Sequence, residues 1–213
     1  MKKKKLEIKM MGIPYWYPVV LDIVLLLLNI IFSKKTDGEY YMAISCELGI
    51  SFFASWWSVY NLYELLEEDG GEILYTYPIS VGKHELKKNL CRTIWYLLLS
   101  GIFMLVIGVC LWHKLDMRII FNILMQSLTF SAAAFFLMAV IKDSGWTALL
   151  LFVYVCVGYF TNGELLGRAN IYILSYDSVT WREIIYNAEK CFVSSAAFYL
   201  GGYFALKCRK NLS

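Results

Sequence analysis

Six apolar runs follow one another along the chain, and they constrain its fold more than any single residue does. They extend approximately over Tyr15–Phe32, Tyr40–Tyr63, Cys91–Trp112, Arg118–Ile141, Trp146–Phe160 and Ala188–Leu206. A bilayer core of ~30 Å takes about 20 mainly apolar residues per helix, and aromatic flanks complete shorter runs. Backbone N–H and C=O groups cannot go unpaired in hydrocarbon, so such runs must be helices. The expectation is an all-α, polytopic integral membrane protein with six transmembrane helices in one domain, 1–213, the fifth run being the shortest. Composition agrees: 59% of residues are hydrophobic and 17% charged, where a soluble domain has roughly 45–50% and about 25%. A net charge of +3, with the basic residues beside apolar runs, gives no footprint for nucleic acid.

Lysine and arginine set the orientation. Placing the N-terminus inside puts Lys2 to Lys5, Lys9, Lys83, Lys87, Lys88, Arg92, Lys142, Lys207, Arg209 and Lys210 in the cytoplasm. Only Lys34, Lys35, Lys114, Arg118, Arg168, Arg182 and Lys190 then lie outside. Both termini are therefore expected to be cytoplasmic. Ile31-Phe32-Ser33 lacks the small-x-small pattern of a cleavage site, so the first run reads as an uncleaved span. Residues 1–14, with Leu6, Ile8, Met10, Met11 and Ile13 between lysines, read either as a segment lying on an anionic inner leaflet or as a topology signal. The six cysteines have no C-x-x-C spacing and read as membrane-buried thiols.

Two connections exceed a turn. The inner one, residues 64–90, is dense in charge, breaks at Gly70-Gly71, and at Pro78 has the residue best suited to a first helical turn. A short amphipathic cytoplasmic helix follows, with Ile79, Leu86 and Leu90 on one side and Lys83 and Lys87 on another. The outer connection, residues 161–189, carries apolar pieces at Ile171–Leu174 and Trp181–Tyr186 that suit a dip back into the outer leaflet. It also carries a Thr180-x-x-Glu183 capping box.

Catalytic signatures are missing. Gly82-Lys83 is followed by His84 rather than Ser or Thr, and H-E-x-x-H, G-x-S-x-G and a Cys/His pair do not occur. No enzyme activity and no metal site is expected of this chain. A charge in hydrocarbon is costly, so carboxylates inside the runs are candidates for function. Asp22 lies near the cytoplasmic start of the first run, where the helix dipole favours an anion and the interface is within reach. Glu47 lies deeper, ~10 Å into the second run by helix rise, and reads equally as a buried interhelix hydrogen bond or a group on a substrate path. Asn122, Gln126, Ser127 and Thr129 read as interhelix contacts or as a binding site. Ala197, Gly201 and Ala205 leave one helix face almost bare, so a neighbour, in the same chain or another subunit, packs closely there.

The run Glu67-Glu68-Asp69-Gly70-Gly71-Glu72-Ile73-Leu74-Tyr75-Thr76-Tyr77-Pro78-Ile79-Ser80, followed by Leu86-Lys87-Lys88, resembles a segment of the type-2 ABC transporter permeases. That family places an acidic stretch, a Gly and a Glu before a Leu, then Pro-apolar-Ser and a basic residue, between the second and third of six spans. This chain departs in being short, in its short fifth span, and in Lys-Lys-Asn where Gly-Lys is more usual. The resemblance implies a membrane subunit of the bacterial cytoplasmic membrane with no ATPase of its own. Its partners would be separate ABC ATPase subunits, holding ATP and Mg, and a second copy or a homologous permease. Gly71, Glu72, Leu74, Pro78, Ile79, Ser80 and Lys83 would form the ATPase-coupling segment. Paired short helices before the last span would agree with the outer connection. Export is the family's usual direction, and short outer loops favour a small amphipathic substrate, first a peptide antibiotic or bacteriocin, then a lipid or drug. Two other readings stay open: a membrane immunity or peptide-sensing protein, and the solute-binding membrane subunit of a vitamin importer.

Overall fold

The structure, a computed structural model, describes residues 13–32, 38–67, 81–110, 116–173 and 180–210. Among them there is no strand. A 3₁₀ turn, Ile13–Trp16, leads into α1 (Tyr17–Phe32), followed by α2 (Gly38–Leu66), α3 (Val81–Cys110), α4 (Met117–Ile141), α5 (Ser144–Phe160) and α6 (Trp181–Lys210). These stand in the order of the six apolar runs. Three are long and apolar enough to cross a membrane: α3 over Gly82–Val109, α4, and α6 over Trp181–Cys208. Helices α1 and α5 are apolar, but their 16 and 17 residues rise only about 25 Å. Helix α2 has the length, 29 residues, but Glu47, Ser51, Ser55, Ser58 and Asn61 make it more polar.

The helix bounds correct two expectations. From Val81 onward there is no separate amphipathic helix before the third span: Leu86 and Leu90 belong to one unbroken helix of 30 residues. Its polar first turns continue into the bundle because Glu85, Asn89, Thr93, Tyr96 and Ser100 share one buried stripe. Pro78 and the other coupling residues Gly71, Glu72, Leu74, Ile79 and Ser80 lie outside the described residues. Likewise Trp181–Tyr186 is the start of α6 rather than a re-entrant piece. The capping box forms as expected, with the Thr180 amide donating to Glu183 Oε2 at 2.8 Å and the Glu183 amide donating to Thr180 Oγ1 at 3.4 Å.

Local chemistry fixes the turns. Asp116 caps α4, its carboxylate accepting the Arg118 amide at 2.9 Å. Lys142 ends that helix in the left-handed region (φ 63°), and Asp143 at once caps α5 by accepting from the Trp146 amide at 2.8 Å. A two-residue link thus folds α4 and α5 into a hairpin. Glu67, just past α2, accepts from the Ser144 amide and, at 3.2 Å, from its hydroxyl. The end of α2 is therefore tied to the start of α5.

Helix α4 is the centre, packed most extensively against α6 and α2. Contact with α6 is close: a Cβ on Gly202 would lie 2.6 Å from the Phe135 ring, and one on Gly201 3.0 Å from Phe136. The small-residue face of α6 is thus used within the chain, through Gly201, while Ala197 is exposed. Around the perimeter, large apolar side chains face outward, among them Ile23, Leu27 and Ile31 of α1, Leu98, Ile102 and Val109 of α3, and Phe152 and Phe160 of α5. The interior combines two apolar clusters, one around Ile50, Trp57 and Phe130 and one around Leu62, Phe135 and Met138, with buried polar groups between the helices, and the apolar perimeter suits a hydrocarbon solvent.

Candidate functional site

Each central helix turns a polar stripe inward at helical spacing. On α2 it is Glu47, Ser51, Ser58 and Asn61; on α4, Asn122, Gln126 and Ser131; on α6, Asn187, Ser195 and Tyr199. Residues three and four apart lie on one helix face, so each stripe meets its neighbours over several turns. The contacts separate into two layers.

Glu47 organises the first layer. It is fully buried, and its Oε1 accepts from Gln126 Nε2 at 2.5 Å, the Ile173 amide at 2.9 Å and Asn122 Nδ2 at 3.4 Å. Gln126 also donates to the Ile171 carbonyl at 2.7 Å and accepts from Ser51 at 3.2 Å. Asn187 of α6 donates to Asn122 Oδ1 and to the same Ile171 carbonyl, both at 2.8 Å. What these side chains hold is the non-helical stretch 170–173. Asn162 and Gly163, with φ of 48° and 77°, end α5 and begin the turns that return the chain inward. Ile171 and Tyr172 are each 5% exposed. The Tyr172 ring sits where a Cβ on Gly158 would come within 2.7 Å, so only glycine leaves it room. Irregular backbone is tolerated at depth only where protein groups satisfy it, and Glu47, Gln126 and Asn187 do so here.

The second layer is neutral. Ser131 Oγ lies 2.7 Å from Ser58 Oγ, 2.5 Å from Thr93 Oγ1 and 3.1 Å from Tyr199 Oη. Ser58 and Thr93 both donate to Asn89 Oδ1, at 2.9 and 3.2 Å. One hydrogen-bonded cluster therefore joins α2, α3, α4 and α6. Further along α3, Glu85 accepts from Asn61 at 3.0 Å while His84 Nδ1 lies 3.0 Å from its other oxygen.

Of the residues singled out by sequence, Glu47, Asn122 and Gln126 are brought together as an interhelix cluster. Lys83 is exposed on the first turn of α3. Asp22 corrects its expectation: rather than reaching outward it is 1% exposed, beyond the first turn of α1, and among the described residues neither carboxylate oxygen has a hydrogen-bond partner. Tyr96 gives its hydroxyl to the Ile50 carbonyl at 2.7 Å, and Cys46 accepts from Asn29 at 3.3 Å. Sequence reasoning missed Asn187, the side chains that hold the Ile171 and Ile173 backbone, and the Ser58–Asn89–Thr93–Ser131–Tyr199 cluster. The inward stripes were legible as spacing and the apolar piece from Ile171 as a segment that turns inward; its hydrogen-bond partners left no pattern. Among the described residues no three His, Cys, Asp or Glu side chains gather to hold a metal ion.

Among the described residues, the class these features define is an all-helical protein with three helices long and apolar enough to cross a membrane and a core that mixes apolar clusters with buried polar groups. Compared with protein-family models, curated proteins and solved structures, the chain matches none.

Proposed function

We propose that the chain is the permease subunit of an ATP-driven ABC exporter, with six spans and both termini in the cytoplasm of a bacterial cell. The observation that carries this reading is the acidic-Gly-Gly-Glu and Pro-Ile-Ser run, residues 67–80, between the second and third helices. Further support comes from the end of the bundle at which α2 ends and α3 begins. Gly82 packs on Tyr203 and Glu67 bonds Ser144, so the start of α3, the end of α6 and the α4–α5 turn share one end. Exposed Lys83, His84, Lys87 and Lys207 lie there with half-buried Lys142, together with exposed Glu67 and Asp143, a mixed-charge polar face. Separate ABC ATPases holding ATP and Mg would dock on it through Gly71, Glu72, Leu74, Pro78, Ile79, Ser80 and Lys83. A second permease copy or a homologue would complete the pathway, and the cargo would be a small amphipathic molecule, a peptide antibiotic first.

Movement of the docked ATPases would reach the membrane directly, because α3 is continuous from Val81 to Cys110. The hydroxyl cluster at Thr93 and Ser131 would pass that motion to α2, α4 and α6. Co-purification with an ABC ATPase encoded beside it tests the reading. Wild type should co-elute and stimulate ATP hydrolysis, and a Glu72→Lys, Pro78→Gly variant should lose coupling. If no ATPase binds the wild-type chain, the reading fails and the immunity or sensing alternative takes its place.

A further inference from the structure

A cavity of about 490 Å³ opens between α4, α5 and α6, within the size range of small-molecule sites. Its walls are apolar, with Phe130, Phe136 and Leu137 of α4, Leu150 of α5 and Phe198 of α6. The lining hydroxyls are already committed: Tyr154 to the Ala169 carbonyl at 2.8 Å, Thr129 to Met125 and Cys191 carbonyls at 3.1 and 3.2 Å, and Ser194 to Cys191 at 3.0 Å. Nothing in the walls therefore asks for a polar ligand. Two cations complete the lining, Arg168 from the turn after α5 and Lys190 from α6. Lys190 donates to the Asn170 carbonyl, which anchors it and leaves ammonium protons to offer. Among the described residues neither cation is paired with a carboxylate. Leu150 is 44% exposed on a helix face that also presents Leu149 and Val153, so the cavity communicates with the apolar perimeter.

We propose that this cavity is a site for an anionic phospholipid, one acyl chain between α4, α5 and α6 and the phosphate on Arg168 and Lys190. Charge complementarity selects the headgroup, since two cations with no carboxylate partner among the described residues, at the end of an apolar slot, match a phosphate on a hydrocarbon tail. The proposal does not depend on transport. Ile171 of the lining carries the carbonyl that Gln126 and Asn187 hold, so an occupied cavity would brace the same insertion.

Native mass spectrometry of the purified full chain, given equal phosphatidylglycerol and phosphatidylcholine, tests it. Wild type should retain phosphatidylglycerol about tenfold over phosphatidylcholine. Arg168→Gln with Lys190→Gln should abolish the preference, and Ala133→Phe, which fills the slot, should lower retention of both lipids. Glycerol phosphate, a headgroup without a tail, should not displace the bound lipid. Equal retention of the two lipids by wild type overturns the proposal, as does a preference that survives both variants or displacement by glycerol phosphate. The wild-type preference is read without any variant, so the proposal can fail even where a substitution impairs folding.

Discussion

Around Glu47, on the α2–α4–α6 side of the bundle, one carboxylate oxygen collects donors from Gln126, Asn122 and the Ile173 amide. Around Asp22, on the α1 side, neither oxygen meets a donor among the described residues, although the two residues are equally withdrawn from solvent, at 0% and 1% exposure. Depth alone therefore does not decide what a buried carboxylate contributes. Its donors decide, because desolvation opposes folding and only hydrogen bonds to the acid offset it. The first region stabilises an inserted loop; the second weakens the α1 contact.

The sharpest break in this comparison is Glu47→Ala. It strips the acceptor from two side-chain amides and a backbone N–H, and should cost about 3 kcal/mol or more in chemical unfolding. Glu47→Gln keeps one acceptor and should fall between that variant and wild type. Asp22→Leu carries the opposite sign: removing an unpartnered acid in favour of an apolar side chain should raise stability by about 1 kcal/mol or more. A loss of stability there would mean that Asp22 is partnered after all. In the neutral layer, Ser131→Ala leaves Ser58, Thr93 and Tyr199 short of one oxygen and should cost about 1 kcal/mol, less than the Glu47 change because hydrogen bonds between neutral hydroxyls are weaker than those to a carboxylate.

The smallest effect lies at the surface, at Asp116. Its carboxyl is held below the usual range, first by the Arg118 side-chain hydrogen bond and then by the Arg118 amide. A lowered folded pKa stabilises above the unfolded value near 3.8 and is lost as pH falls through the folded value. Asp116→Ala should therefore cost about 0.5–1 kcal/mol near neutrality, as a lost cap does. The melting curves of variant and wild type should converge in acid.

Helix order and the depth of Glu47, Asn122 and Gln126 were legible in the sequence, since apolar length and helical spacing are local properties. The continuity of α3 was not. A reading that looks for an apolar face assigns Leu86 and Leu90 to a surface helix, whereas Glu85, Asn89 and Thr93 form the face that the bundle buries. Where polar side chains face inward, hydroxyl and amide spacing carries the information that leucine spacing carries in a soluble core. Asp22 misled for a related reason: proximity to a helix start says nothing about whether the neighbouring helices close over it. The apolar piece from Ile171 was legible as a segment that turns inward, but the partners that hold residues 170–173 lie 16 to 126 positions away along the chain, which no local pattern encodes.

Hydrogen exchange of the amides in residues 170–173 tests the central claim most directly. If Glu47, Gln126 and Asn187 hold this backbone in the interior, these amides should exchange as slowly as the middle of α4 in wild type and become fast in Glu47→Ala. Exchange in wild type as fast as that of the turns at residues 161–166 would contradict it.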